Sequence, residues 1–286
     1  MRSIGAALSV VVGLAMTASI SKPADAQCSC TKTMIDDVKE RGVLRVGVKN
    51  DAPFLGFVDD KGELDGFEIE LVKDIAKRLN VKIELEPVKA SNRVQLLQQG
   101  RIDIIFATVS HYRNRDQVVD FTLPYLYTPQ TLLVKKGSGI KTLADMDGKR
   151  FGLDAGSGAV KKIPRLQPKA VIQTFQNWPE AFFALERGTV DAVATDNILL
   201  AGLRSASPNP DAYELVGKEG FYSGAYYAAV VRENDSKSRD TINFLLQDQF
   251  KDGTWQKLFD KWLGKGSKLQ MTVADFGDFS IPQWDE

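Results

Sequence analysis

The chain has 286 residues, with 37 basic and 37 acidic side chains, one His and two Cys, and 43% of its residues are hydrophobic. The balanced charge gives no basic footprint for nucleic acid, and a single His leaves multi-histidine metal sites without ligands. The length predicts two domains of roughly 100–200 residues each. One disulfide at most cannot stabilise a chain of this length, so its stability is expected to come from the burial of apolar side chains. No metal or cofactor site is expected.

The first 26 residues predict a secretory signal peptide. Arg2 precedes the apolar run 4–16, and Ala24-Asp25-Ala26 has the small-residue pattern of a cleavage site. The apolar run is shorter than the ~20 residues that a membrane-spanning helix needs. The mature protein is therefore expected in the bacterial periplasm or outside the cell.

Two cysteines, Cys28 and Cys30, follow the predicted cleavage point. A lipid anchor at Cys28 would need small residues before it, and neither Asp25 nor Gln27 is small, so anchoring is not expected. A disulfide between the two cysteines would close a tight, strained loop. An intermolecular bridge or two free thiols are the favoured states.

Strand and helix patterns alternate along the rest of the chain. Strands are predicted at residues 43–48, 81–85, 102–108, 150–153, 171–175, 190–195 and 226–231. Helices are predicted at residues 67–79, 92–99, from 159, at 179–186, 237–250 and 255–263. Strand–helix–strand units of this length predict a parallel sheet that is covered on both faces.

Two segments of the chain, 97–108 and 185–196, resemble each other. Each has the pattern of a helix, a glycine stop and an apolar strand that ends in polar residues. Two unrelated αβ units can also look alike, and that alternative stays open. A true repeat would place Thr108 and Asp196 at equivalent carboxyl ends of strands, where open α/β sheets bind ligands.

Two crossings are predicted to connect the halves of the chain. Residues 125–130, with Pro124 and Pro129, form the first, and residues 220–225 form the second. The resulting division is a signal peptide at 1–26, a first lobe at 27–126, a second lobe at 127–224 and a return to the first lobe at 225–286.

Several short motifs occur in order between about residues 38 and 263: Val46-Gly47-Val48, Pro53-Phe54, Gly66-Phe67-Glu68, Leu97 to Asp103, Arg115, Val118 to Thr122, Val190 to Val193, and Asp196. As a set they resemble bacterial family 3 extracellular solute-binding proteins, the amino-acid receptors of ABC importers. The resemblance implies a type II periplasmic-binding-protein fold, an α/β structure of two lobes around mostly parallel sheets joined by a two-segment hinge. It also implies an inner-membrane ABC permease as partner, and we expect a monomer.

The ligand that such a receptor binds sets the residue types of its site. An amino-acid zwitterion needs a cation for its α-carboxylate and an acid for its α-ammonium. Arg115 can form a bidentate fork to a carboxylate, as the matching Arg does in the family, and Asp196 matches the family's acceptor for the ammonium. Hydroxyl groups and free N–H donors at a helix start are expected to complete the carboxylate site: Thr108, Ser110, Ser157 and Gly158.

Two further cations, Lys49 and Arg93, predict the ligand's side chain. Cations left unpaired in a closing cleft are costly, so a second ligand carboxylate is their natural complement. The sequence around Lys49, Arg93 and Asp196 also resembles the glutamate/aspartate branch of the family most. Trp178 and Tyr227 match positions that line the site in that branch, but relatives have His or Tyr in place of Trp178, which leaves the choice among acidic ligands open.

Each predicted site residue also has a purely structural interpretation. Arg93 could cap helix charge or pair with surface acids. Lys49 could be solvated, and Asp196 could cap the helix that follows it. Trp178 and Tyr227 could be aromatic residues of the core.

Other functions stay open beside an acidic-amino-acid receptor. The ligand could be a neutral or polar amino acid or another small carboxylate, and the fold also hosts dehydratases. With a single His, and with both Cys beside the cleavage site, no Ser/His/Asp or Cys/His constellation is available. Only a carboxylic acid such as Glu180 or Glu219 remains as a candidate catalyst, and a surface adhesin is the third class.

Overall fold

A computed structural model describes residues 32–217 and 224–272. The predicted signal peptide, Cys28, Cys30 and most of the predicted second crossing lie outside the described residues. Within those two ranges, no helix combines the length and the apolar character needed to cross a membrane.

The described residues form eight α-helices, twelve β-strands and two short 3-10 helices. The helices are α1 (Met34–Arg41), α2 (Phe67–Arg78), α3 (Arg93–Gln98), α4 (Ala159–Leu166), α5 (Trp178–Arg187), α6 (Asn197–Ala206), α7 (Ser236–Lys251) and α8 (Thr254–Trp262). The strands are β1 (Val43–Val48), β2 (Asp51–Ala52), β3 (Gly56–Val58), β4 (Leu64–Asp65), β5 (Lys82–Pro87), β6 (Ile104–Phe106), β7 (Asp120–Lys135), β8 (Arg150–Asp154), β9 (Val171–Phe175), β10 (Ala192–Asp196), β11 (Tyr213–Val216) and β12 (Gly224–Val231).

One long strand, β7, joins two sets of strands. Up to Pro129 it pairs antiparallel with β12, which together with β6, β1 and β5 forms the first set. From Gln130 onward it pairs antiparallel with β10, which with β8 and β9 forms the second set, and β11 also pairs with it there. Within each set the strands of the αβ units are parallel, so the expected mixed α/β fold of two lobes is present.

The predicted first crossing at 125–130 differs from the structure in kind. It is not a separate linker but the middle of β7, which continues through Pro124 and Pro129. A proline lacks the N–H that a strand donates to its neighbour, but it does not prevent extended backbone. The composition therefore located the crossing but not its conformation.

The repeat predicted from the sequence is confirmed in three dimensions. In the first half, Arg45 donates its backbone N–H to Asp103 (2.9 Å) and forms a two-point side-chain contact with the same carboxylate. In the second half, Arg150 makes the same backbone contact to Asp191 (2.8 Å) and the same two-point contact. Both acids therefore fix the start of their strand against a neighbouring parallel strand in the same way.

Helix ends in this repeat follow from the local sequence. Asn177 caps α5 by accepting the backbone N–H of Glu180 (2.9 Å), and a proline occupies the first turn, where its missing N–H costs nothing. Glycines with left-handed φ values stop the preceding helices, Gly100 (φ 68°) after α3 and Gly188 (φ 75°) after α5. The short strands β6 and β10 follow these stops, and their polar ends point to the same side of the fold.

The largest apolar cluster extends through both sets of strands. It contains Phe67 and Leu71 from α2 as well as Trp178, Ile198 and Leu200 from α5 and α6. Two smaller clusters lie under α4 and under α3. Apolar contact between the halves is therefore continuous, and the structure represents a closed arrangement of the two.

Candidate functional site

A small cavity lies where strand ends from the two halves meet. Its volume is about 20 Å³, close to the space of a single water and far below the roughly 300 Å³ of a small-molecule pocket. Eight of the ten predicted site residues line it: Arg93, Thr108, Ser110, Arg115, Ser157, Gly158, Trp178 and Asp196. Access for a ligand therefore requires the halves to separate.

Asp196 is the acid of this cavity. It ends β10 and precedes α6, yet its side chain does not cap the helix. Instead, its carboxylate accepts the Tyr227 hydroxyl (2.7 Å) and the Gln130 amide (3.0 Å). Burial raises the pKa of the Asp196 carboxyl above its ordinary value, although both hydrogen bonds act in the opposite direction. The capping interpretation therefore does not account for the side chain, which is held by neutral donors.

Arg115 provides a cation on the opposite wall. It donates one N–H to the Ser110 carbonyl (2.7 Å) and its guanidinium stacks on the Tyr112 ring at 5.1 Å. Burial lowers the pKa of the Arg115 guanidinium. Among the described residues, no carboxylate lies within ion-pair distance of it. Its remaining N–H donors are available to an anion.

Arg93 is a second cation, at the start of α3. Its exposed fraction is 3%, and one of its N–H groups donates to the carbonyls of Ala107 and Thr108. Burial and the nearby charge of Arg115 lower its pKa to about 10. As with Arg115, no carboxylate of residues 32–217 or 224–272 pairs with it. Surface acids do not engage it, so the surface ion-pair interpretation of Arg93 is wrong.

The backbone of Thr108 is held in an uncommon conformation. Its φ is 50°, a left-handed value that a threonine rarely adopts. Its N–H donates to both oxygens of the Glu68 carboxylate (2.8 and 3.1 Å), and Glu68 also accepts the hydroxyl of Tyr125. Because Glu68 is fully buried, its pKa is raised. Glu68 thus positions the strand end that carries Thr108.

The start of α4 presents polar groups to the same cavity. Gly158 is the N-cap residue and offers no side chain to the helix. Within the described part of the chain, the buried Ser157 hydroxyl has no hydrogen-bond partner. Unpaired N–H groups at a helix start favour an anion, so this edge complements the side of the cavity that carries Arg115.

The structure does not bring Lys49 or Tyr227 to the cavity wall. Lys49 is 1% exposed, and its ammonium lies 2.8 Å from the Asp51 carboxylate. Tyr227 lies behind Asp196, to which it donates its hydroxyl. Trp178 lines the cavity from the first turn of α5 and also belongs to the apolar core. Lys49 and Arg93 were both predicted to bind the ligand's side-chain carboxylate. Of these two, only Arg93 lines the cavity.

Six described cavity residues were missed by the sequence analysis, and two of them, Tyr112 and Gln130, connect the groups of the cavity by hydrogen bonds. Gln130 donates to the Tyr112 hydroxyl (2.8 Å) and to Asp196, and it accepts from Lys162 (3.1 Å). Tyr112 lies between the predicted residues Ser110 and Arg115, and Gln130 ends the predicted crossing segment. Position along the chain was the only available signal, because neither residue carries a charge.

Comparison with known proteins identifies the family of the chain that forms this cavity. The profile of bacterial extracellular solute-binding proteins, family 3, matches residues 44–265. The chain belongs to this family. The glutamine-binding protein GlnH of Bacillus subtilis, an ABC transporter component, is 32% identical over 90% of this chain and 94% of its own length. The glutamate-binding protein GluB of Corynebacterium glutamicum is 29% identical over 80% and 81%, respectively.

A solved structure carries the same fold. An ancestral arginine-binding protein bound to glutamine is 38% identical, with a TM-score of 0.74, over 78% of this chain and 99% of its own. These relatives are binding proteins for amino acids that differ in charge, so family membership does not by itself identify the ligand.

Proposed function

We propose that this protein is the extracytoplasmic receptor of an ABC amino-acid importer and that it binds an acidic L-amino acid between its two halves. One observation carries the proposal. Among the described residues, the closed cavity holds two guanidinium groups without a carboxylate partner, the buried Arg93 and the partly buried Arg115, opposite the buried carboxylate of Asp196. A glutamate or aspartate, with two carboxylates and one ammonium, neutralises all three.

Each ligand group has a partner of opposite charge in this proposal. The α-carboxylate binds the free N–H donors of Arg115, with Thr108, Ser110 and the start of α4 around it. The α-ammonium binds Asp196, which is already oriented by Tyr227. The side-chain carboxylate binds Arg93. A cationic ligand would add a third positive charge beside two guanidiniums, which opposes binding.

Binding and closure are one event in this mechanism. Arg93, Thr108, Ser110 and Arg115 belong to the first lobe, proposed as residues 27–126 and 225–286, and Asp196 belongs to the second, residues 127–224. A ligand touches both sets only when the lobes close, so its binding energy shifts the open–closed equilibrium. The closed shape would then be recognised by the membrane permease, after export directed by the predicted signal peptide.

A neutral amide ligand such as glutamine is the second candidate. The pairing of Lys49 with Asp51 removes one of the two cations from which an acidic ligand was first predicted. The remaining one, Arg93, already donates to two backbone carbonyls. GlnH, a glutamine-binding protein, and the ancestral protein bound to glutamine support this alternative as well.

A dehydratase activity has less support than binding. No His or Cys is among the cavity-lining residues of the described chain, and Glu180 is committed to the capping contacts of Asn177 and Gln176. Glu219 lies outside the described residues. Asp196 is the one carboxylate among the described residues that line the cavity. It is held by two donors and is better suited to accept an ammonium than to move a proton.

The proposal is tested by a ligand panel. The mature protein is unfolded and refolded to remove carried-over ligand, and thermal unfolding is then measured with each common L-amino acid. A ligand at about 1,000 times its dissociation constant adds roughly 4 kcal/mol to the free energy of unfolding. Large shifts with glutamate or aspartate are expected, a shift with glutamine alone selects the second candidate, and no shift with any amino acid contradicts a receptor function.

Replacing Arg93 separates the two candidates. Arg93→Gln keeps a polar amide at the start of α3 but removes the charge, so we expect glutamate to bind about 30-fold more weakly or worse, while glutamine changes far less. Lys49→Met is the matched control, since its ammonium is paired with Asp51 and should not read the ligand's side chain. Calorimetric titration of both ligands measures the difference; equal losses for glutamate and glutamine in Arg93→Gln would contradict an acidic ligand.

A further inference from the structure

A basic groove lies on the surface directly outside the cavity. It has a volume of about 550 Å³ and is lined by the loop that carries Arg113 and Arg115 and by one face of α4. Of the ten described residues that line it, five are Lys or Arg and none is Asp or Glu; the five are Arg113, Arg115, Lys161, Lys162 and Arg165. We call this surface the basic groove.

No acidic residue is among the described residues that line the basic groove. The sequence contains no Asp or Glu between Asp154 and Glu180, so α4 brings only cations. In the described ranges, Arg113, Lys161 and Arg165 form no ion pair. The acid that follows Arg115, Asp116, is engaged by His111 at 2.8 Å. The groove therefore presents positive potential to solvent.

Tyr112 separates the basic groove from the cavity. Tyr112, Arg115, Ser157 and Gly158 line both spaces. The Tyr112 ring lies between two cations, with the Arg115 guanidinium at 5.1 Å and the Lys162 ammonium at 4.9 Å. It also packs on Gly158, where an added Cβ would lie 2.5 Å from the ring. Because Tyr112 comes from the first half and Gly158 from the second, separating the halves opens this contact.

We infer that the basic groove is the vestibule through which anionic amino acids reach the cavity, an inference that rests on the proposed function and names its route. An anion attracted by the cations of α4 is already close to the cavity, because Arg115 lines both the basic groove and the cavity. In the cavity, Arg115 binds the α-carboxylate. Clefts lined by one sign of charge raise on-rates for opposite charges by about 10- to 1,000-fold. The groove thus acts on the rate of association, while the closed cavity determines the rate of release.

Stopped-flow kinetics tests the vestibule. The probe is glutamate, and the signal is tryptophan fluorescence, to which Trp178 in the cavity contributes. In Lys161→Gln/Arg165→Gln, removal of two exposed cations should lower the association rate constant about three- to tenfold at low ionic strength. The dissociation rate constant should stay unchanged, because neither residue lines the cavity. The difference in association rate constant between the wild type and this variant should disappear with added salt, since the Debye length is about 10 Å at 0.1 M.

A matched variant controls for net charge. Lys77→Gln/Lys82→Gln removes the same charge from exposed positions on α2 and β5 that line neither space. It should leave the association rate close to that of the wild type. Equal association rates in the wild type and the α4 variant at low salt, or an equal loss in the control, would overturn the vestibule while leaving the receptor intact. Absence of any glutamate or aspartate binding to the wild type would overturn both.

Discussion

Replacing Asp196 with asparagine is expected to raise the dissociation constant for the amino acid by about 30- to 1,000-fold, as truncating one partner of a buried charge pair does. Asparagine has nearly the same shape and can still accept the Tyr227 hydroxyl, but it cannot neutralise an ammonium. Asp196→Ala should abolish binding in the same way. Calorimetric titration with the ligand identified in the panel measures the loss, and near-normal affinity in either variant would refute the assignment of Asp196.

The Asp196→Asn substitution should not lower the stability of the fold. Burial raises the pKa of Asp196 in the folded protein, so the folded state is penalised as pH rises through that pKa and the carboxyl ionises. At neutral pH, removing this charge should therefore leave the free energy of unfolding of the ligand-free protein unchanged or slightly higher. Thermal unfolding without ligand checks this point.

The pH dependence of binding provides an independent readout of the same carboxylate. The α-ammonium needs ionised Asp196, so affinity should fall on acidification, beginning above the ordinary aspartate range near 3.9. Each pH unit below the pKa of Asp196 costs about 1.4 kcal/mol of binding free energy, a factor of ten. Constant affinity down to about pH 4 would mean that a neutral acceptor, rather than Asp196, takes the ammonium.

Periodicity predicted the order of helices and strands because it records which faces are buried. The repeat extended this success, since Asp103 and Asp191 make matching contacts with Arg45 and Arg150. The exception was β7. Its two prolines and its polar residues resemble a linker, but pairing with β12 on one side and β10 on the other extends the strand through both.

Site residues with charge were more predictable than those that hold them. Arg93, Arg115 and Asp196 carry charges that a buried cavity must use. Whether a cation faces the ligand depends on its neighbours in space, and nothing in the local sequence indicates that Lys49 pairs with Asp51, two residues away, rather than with a ligand. Gln130 is uncharged, and its contacts lie on three separate segments of the chain, the loop that carries Tyr112, β10 and α4.

Glycine positions explain how closely the halves approach. An added Cβ at Gly202 in α6 would lie 2.8 Å from the Pro53 carbonyl, and one at Gly156 would lie 2.3 Å from the backbone of Ala90. Both contacts join the second half to the first. Neither glycine has a left-handed φ, so backbone conformation does not require it. The close approach of the two halves requires a glycine at both positions.

Replacing Gly202 with alanine should therefore change stability and affinity in opposite directions. In an isolated helix interior, alanine is favoured over glycine by about 1 kcal/mol, so the open, ligand-free protein should unfold at a higher temperature. Closure, however, would force the new methyl group against a rigid backbone carbonyl. Overpacking of this kind costs roughly 1–3 kcal/mol, which converts to an affinity loss of about 5- to 150-fold.

The location of Gly202 makes its substitution a specific test of closure, because it does not line the cavity and cannot touch the ligand. Ser205→Ala is the matched control, since it adds alanine to the same helix without adding an atom against the first half. It should raise stability slightly and leave affinity unchanged. Small-angle scattering with saturating ligand should show Gly202→Ala less compact than the control. Gly202→Ala could instead bind the ligand as tightly as Ser205→Ala and become equally compact. In that case the contact between α6 and Pro53 adjusts at little energetic cost, and affinity does not depend on complete closure.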